Sequence, residues 1–354
     1  MKRPTITIDG RPIGPDHQPY IVAEMSGNHN GDINRAFRIL DAAKAAGADA
    51  VKIQTYRADT ITIDHDGPEF IVKGGLWDGR RLYDLYEEAH TPWEWHKPIF
   101  ERARRIGITV FSSPFDFTAV DLLERLDAPA YKIASPELID LPLIRRVAQT
   151  GKPIVISTGM GNHEEIEEAV ETAREEGARE LILLHCTAAY PTPPDEANLS
   201  TIAELARRFQ VVAGLSDHTM GTTVPALAVA LGADFIEKHF TLSRAEGGVD
   251  SAFSMEPAEL AELVSATRIV RVAVGKPTFE PTEAESSVLK NRRSLYVVAP
   301  IKKGESFTGH NIRSIRPGAG MKPRYYDKVL GKHASRDLSF GQPLTVDMVE
   351  EGLP

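Results

Sequence analysis

The sequence predicts a (β/α)8 barrel followed by a small β-rich domain, and three observations carry that prediction. Eight short apolar runs recur at residues 20–23, 50–53, 109–111, 130–133, 153–156, 181–184, 211–215 and 235–237, each ending in a polar tip. Helical segments with a period of about 3.6 follow most of them, at 33–46, 93–106, 119–126, 141–150, 164–176, 199–208 and 224–231. Gly-Ala-Asp stands twice just before a run, at 47–49 and 232–234, as a helix stop feeding the next strand. A doubly wound open sheet is the alternative, but eight evenly spaced units with regular helices suit closure better.

In chain order, Asp9-Gly10 between two apolar segments predicts a tight hairpin ahead of the first barrel strand. The barrel rhythm is interrupted at 57–90, a long stretch with Gly74-Gly75 and several aromatics, expected as an extended loop over the site. A last helix is expected at 256–274. The division is then a barrel at 1–275, a Pro-containing linker at 276–290 and a turn-rich domain at 291–354.

Composition excludes several classes of function. A net charge of −9 opposes nucleic-acid and anionic-membrane binding, both of which need a basic face. The single cysteine, Cys186, excludes an intrachain disulfide and fits a reducing compartment. The N-terminus has no apolar core of a secretory signal, and no apolar run approaches membrane-spanning length, so the expectation is a cytoplasmic protein.

In a (β/α)8 barrel the chemistry sits at the C-terminal strand ends. Here those ends carry Glu24, Lys52 with Gln54, Ser113, Lys132 with Ser135 and Glu137, Ser157, His185 with Thr187, Ser216 with His218, and Glu237 with His239. Lysines give point charge and hydroxyls give directed donors, which together cradle a phosphorylated, carboxylated anion. His218 and His239 lie 21 residues apart, one strand–helix–strand unit, so a parallel sheet brings both imidazoles to one edge as ligands for a divalent metal. Glu24 and Glu137 supply proton transfer. Anion site, metal and acid–base groups together describe condensation of a phosphorylated enol with a carbonyl. A Schiff-base aldolase using Lys52 or Lys132 and a non-catalytic sugar-binding protein are the competing readings.

The segments 21–31, 52–54, 131–137, 157–160, 185–193, 216–219 and 237–242 resemble the sialic acid synthase family, and 292–296 with 316–320 resemble its antifreeze-like SAF domain. The resemblance implies condensation of phosphoenolpyruvate with an N-acylated amino sugar to give a nonulosonic acid and phosphate. It implies a divalent metal, Mn²⁺ with Mg²⁺ and Co²⁺ as alternatives, and a homodimer with the SAF domain swapped onto the partner's barrel. The family's metal ligands fall on His218 and His239. Its phosphoenolpyruvate contacts fall on Lys52, Ser113, Lys132, Ser135, Ser157 and Ser216, with Gln54 beside them. Its sugar contacts fall on Tyr190, Asp250 and the partner-delivered Arg316, and Glu24, Glu137 and Glu237 match acidic positions near the reacting carbons. One departure is Ala188, where sialic acid synthases carry an asparagine, so that side-chain hydrogen bond is absent. The segments 75–86, 91–96 and 247–254 are similar to the pseudaminic acid synthases within the family, which implies 2,4-diacetamido-2,4,6-trideoxy-L-altrose as the sugar; N-acetylneuraminate and legionaminic acid synthesis are the alternatives. A pocket lined by Ala252 and Phe253 is expected to take the apolar methyl of that 6-deoxy sugar.

Overall fold

In the computed structural model, which describes residues 4–350 and Gly352, the chain divides into two compact units, Met1–Gly275 and Lys276–Pro354. The extreme ends of the two expected domains, residues 1–3, 351 and 353–354, lie outside the described residues.

The hairpin forms as its turn chemistry dictates. Asp9 and Gly10 both take positive φ, 49° and 76°, and strands β1 (Ile6–Ile8) and β2 (Arg11–Ile13) pair antiparallel with Ile6 opposite Ile13. Ile6, Ile8 and Ile13 then pack with Tyr20, Phe111 and Phe235, so the hairpin plugs the N-terminal end of the barrel.

The barrel is a closed ring of eight parallel strands. They are β3 (Tyr20–Glu24), β4 (Ala50–Thr55), β5 (Thr109–Pro114), β6 (Tyr131–Ile133), β7 (Ile154–Ser157), β8 (Leu181–Cys186), β9 (Val212–Asp217) and β10 (Phe235–His239). Closure is by β10 against β3, Phe235 opposite Tyr20 and His239 opposite Glu24. Every expected strand is present, and most run past the apolar stretch into the polar tip. The cause is the two-residue alternation of strands. Tyr20, Val22 and Glu24 all face inward, as do Phe235, Glu237 and His239, so one face of each strand changes from apolar below to polar above. Outward residues such as Ile21, Val51, Ile133 and Ile236 meet the helices in a second core.

The helices of this first unit are α1 (Ile33–Ala46), α2 (Ala58–Ile61), α3 (Leu82–Ala89), α4 (Trp93–Ile106), α5 (Phe117–Arg125), α6 (Leu141–Ala148), α7 (His163–Glu175), α8 (Thr201–Phe209), α9 (Thr223–Ala230) and α10 (Pro257–Val274). Side-chain caps set the starts of α1, α5 and α7: Asp32 accepts from the Asn34 amide, Asp116 from Thr118 and Ala119, and Asn162 pairs with Glu165 in a capping box. Two expectations change. Residues 57–90 are not a plain loop, since they hold α2 and α3. The linker is not structureless either: Glu283–Asn291 forms a 3₁₀ helix started by a Thr282–Glu285 capping box.

In the second unit, β11 (Ser294–Val297) and β12 (Ile312–Ile315) pair antiparallel. They share a core of their own with Ile301, Phe307, Val329 and Leu344. Among the described residues no helix is long and apolar enough to cross a membrane.

Candidate active site

Alternation along the strands places Glu24, Lys52, Ser113, Lys132, Ser157, Ser216 and Glu237 in one buried polar layer inside the barrel. Glu237 is its hub: Oε1 lies 3.4 Å from Lys52 Nζ, 3.3 Å from Lys132 Nζ and 3.3 Å from the Ser216 hydroxyl. Lys52 also approaches Glu24 at 2.8 Å and the Ser113 hydroxyl at 3.4 Å. Burial alone would push Glu237 up, but Lys132 and Lys52 outweigh it and hold the carboxyl below its usual range. Burial pushes Glu24 up to about 7. Burial works against the charge of Lys52 as well, yet Glu237 and Glu24 raise it; Lys132, with less compensation, is lowered. The layer therefore keeps its lysines paired while no anion is bound, since an unpaired buried ammonium is costly. Glu237 Oε2 and the Ser157 hydroxyl have no hydrogen-bond partner among the described residues, although both are buried. Ser135 follows β6 and accepts from the Gly159 amide at 3.1 Å. His185 and Thr187 turn away, bonding the Ala197 and Glu196 carbonyls.

One step higher stand the histidines, their ring centroids 5.3 Å apart. Burial holds His218 down to about 4, and burial together with His218 holds His239 well below the ordinary histidine range, so both are neutral imidazoles. The Thr187 carbonyl lies 3.1 Å from His218 Nδ1, which sets the tautomer that leaves Nε2 with its lone pair. One ring nitrogen of His239, Nδ1, is buried without a hydrogen-bond partner among the described residues. This donor set fits a divalent cation with two protein nitrogens and open positions. No cage of three or more His, Cys, Asp or Glu side chains converges among the described residues. Asp250, which accepts from the Ser26 hydroxyl, stands 3.9 Å from His239.

A cavity of about 500 Å³ opens above the layer. Gln54, Glu137, Tyr190, His239 and Asp250 line it, which brings strand ends together with two of the three expected sugar contacts, Tyr190 and Asp250. Gln54 donates to Glu24 at 3.2 Å. Burial pushes Glu137 up to about 7, and its Oε2 has no hydrogen-bond partner among the described residues. Phe253 departs from expectation. It is buried, packs 4.8 Å from the His239 ring and 5.2 Å from Tyr190, and does not line the cavity, while Ala252 is exposed. The apolar lining comes from Tyr56, Trp77, Leu85, Tyr86 and Phe115 among others. Arg316 is an exposed residue of the second unit, just after β12.

The chain matches the model of the NeuB family over residues 39–278 and that of the SAF domain over residues 292–350. It belongs to the NeuB family. A pseudaminic acid synthase of Campylobacter jejuni is 46% identical over 332 residues, 93% of this chain and 96% of that protein. An N,N'-diacetyllegionaminic acid synthase of the same species is 37% identical over 321 residues, 90% of this chain and 96% of that protein. The crystal structure of an N-acetylneuraminic acid synthetase from Leptospira borgpetersenii, in complex with citrate, has a TM-score of 0.73 at 33% identity, covering 81% of this chain and 95% of that one.

This NeuB-family barrel also uses residues that the pattern of strand tips does not single out. Lys238 faces outward between Glu237 and His239, where apolar residues normally meet helices, yet it is fully buried. It reaches Asp217 at 2.8 Å and also donates to the Thr219 carbonyl. Asp217 in turn accepts from the amide and the hydroxyl of Thr219, both at 3.0 Å. The clamp fixes the turn that carries His218.

Proposed function

We propose that this chain condenses phosphoenolpyruvate with 2,4-diacetamido-2,4,6-trideoxy-L-altrose and water to give pseudaminic acid and phosphate. The observation that carries the reaction class is the buried layer of two lysines, serine hydroxyls and carboxylates, with unpartnered polar atoms below a cavity of about 500 Å³. The choice of sugar is supported by the higher identity to a pseudaminic acid synthase, 46%, than to a legionaminic acid synthase, 37%.

Phosphate and carboxylate of phosphoenolpyruvate sit against Lys52 and Lys132, with Ser113, Ser135, Ser157 and Ser216 donating; Glu237 holds both ammonium groups in place before the anion arrives. The sugar lies in the cavity with its aldehyde toward Gln54 and the histidines, and Tyr190 and Asp250 orient it. His218 and His239 would hold a divalent metal, Mn²⁺, Mg²⁺ or Co²⁺, which when bound polarises the aldehyde oxygen. C3 of the enol forms the new bond to the aldehyde carbon, whose oxygen takes a proton. Water adds at C2, losing its proton to a carboxylate, and the resulting tetrahedral carbon expels phosphate by C–O cleavage. In this reading the enzyme works in the cytoplasm, as a homodimer whose SAF domains each cover the partner's barrel and bring Arg316 to it. Exposed Phe117, Ile139, Met160 and Met220, in the segments after β5, β6, β7 and β9, give the barrel mouth an apolar rim that supports such a cover.

The test is phosphate release from phosphoenolpyruvate with the altrose sugar, its D-mannose counterpart and N-acetylmannosamine, each with and without chelator. Turnover with the altrose sugar, lost with chelator and restored by Mn²⁺, is the expected result. Preference for another sugar moves the specificity to legionaminic or sialic acid, and release with none overturns the reaction.

A further inference from the structure

The polar lining of the cavity, Ser26, Gln54, Glu137, His239 and Asp250, comes from the strand ends and the loops after them. Much of the apolar lining comes instead from one segment, the excursion between β4 and α4. Within it, Leu82, Leu85, Tyr86 and Ala89 of α3 all face the cavity. Their spacing, i, i+3, i+4 and i+7, is a single helical stripe. The opposite side of α3 carries exposed Asp84, Glu87 and Glu88, which fixes the orientation. The stripe continues through aromatic contacts, with Tyr86 5.8 Å from Tyr56 and Tyr56 5.2 Å from Phe115.

Leu82, Leu85, Ala89 and Phe115 offer no hydrogen-bonding group, and a hydroxyl pressed onto such a surface loses its water without gaining a partner. We propose that the apolar residues of the α3 stripe, Leu82, Leu85 and Ala89, with Phe115 beside them, are the specificity wall of the site: they receive a deoxygenated end of the sugar, a methyl where an ordinary hexose carries a hydroxymethyl group. The wall thus does what the sequence assigned to Phe253. The inference rests on the sugar reading above and adds the residues that select among sugars.

The experiment measures kcat/KM for phosphate release with two acceptors differing only at C6, the 6-deoxy sugar and its 6-hydroxy analogue. Wild type, Leu82→Gln and Leu85→Ser are compared, with melting temperature recorded for each. Wild type prefers the deoxy sugar by about 100-fold, the scale of discrimination an apolar pocket exerts on an added hydroxyl. Either variant lowers that ratio at least about five-fold, through a higher KM for the deoxy sugar and a kcat near wild type. Leu82 is only half-buried, so Leu82→Gln keeps the test open if Leu85→Ser does not fold. An unchanged ratio in a folded, active variant overturns the wall and leaves the reaction standing. Turnover of neither sugar by wild type overturns the sugar reading, and the wall with it.

Discussion

Glu24 and Glu137 are both pushed up to about 7 by burial, but they differ in what is left free for chemistry. Glu24 accepts from the Ser26 amide at 3.1 Å and from Gln54 at 3.2 Å on one oxygen, and meets Lys52 at 2.8 Å on the other. Glu137 has a buried oxygen with no hydrogen-bond partner among the described residues and faces the cavity. In the proposed reaction we therefore assign the base for the incoming water to Glu137. A base must be ionised, so a group raised to about 7 makes kcat/KM climb as pH rises through about 7 and plateau above it. Glu137→Gln should lower kcat by roughly 10²–10⁴-fold and flatten that limb, while Glu24→Gln keeps it. A pH–rate profile of Glu137→Gln that retains the limb assigns the proton transfer to Glu24 instead.

At the scale of elements, the ends of β9 and β10 alternate between two tasks. Ser216, His218, Glu237 and His239 point into the barrel, while Asp217 and Lys238 point out and lock together at 2.8 Å. Lys238→Met should destabilise the fold by about 3–5 kcal/mol, because Asp217 is left as a lone buried charge. The pair Asp217→Asn with Lys238→Met should regain part of that loss, the coupling expected of contacting residues. Denaturant unfolding measures the cycle. Calorimetric Mn²⁺ binding separates positioning from mere stability: a weaker affinity in the folded double variant is expected, and wild-type affinity would remove the clamp's role in setting His218. This clamp also marks how far the sequence could be read. The eight strands were legible because each apolar run ends in polar residues that obey the same two-residue alternation, and that alternation places Lys52, Lys132 and Glu237 in one layer. Lys238 breaks the pattern, being a buried charge on the helix-facing side, and its contacts with Asp217 and the Thr219 carbonyl across the strands explain it. Leu82, Leu85, Tyr86 and Ala89 do have helical spacing, but glycines and aromatics around them hide the short α3 in what reads as loop. Phe253 was legible as an aromatic near the site; which side of the histidines it packs on is set by Tyr190 and Trp77, residues distant in sequence.

At the scale of the whole molecule, the proposal draws on Arg316 as well as on the barrel. His218 and His239 sit on β9–β10 and its loop, whereas Arg316 belongs to the other compact unit. If Arg316 serves the partner's barrel, a catalytic defect in one unit and a defect in the other can complement each other between subunits. His239→Ala and Arg316→Ala should each be close to inactive alone. Co-expressed in equal amounts, they should form mixed dimers, each holding one barrel with an intact His239 covered by a domain with an intact Arg316. Random pairing makes half the dimers mixed and repairs one of their two sites, so activity should return to about a quarter of wild type. An Arg316 that serves its own barrel gives no such recovery, because every chain then carries one defect at its own site. Phosphate release from the co-purified pair, beside light scattering for the oligomeric state, decides between the two: recovery with a dimeric mass supports the swapped assembly, and a dimer without recovery places Arg316 in its own chain's site.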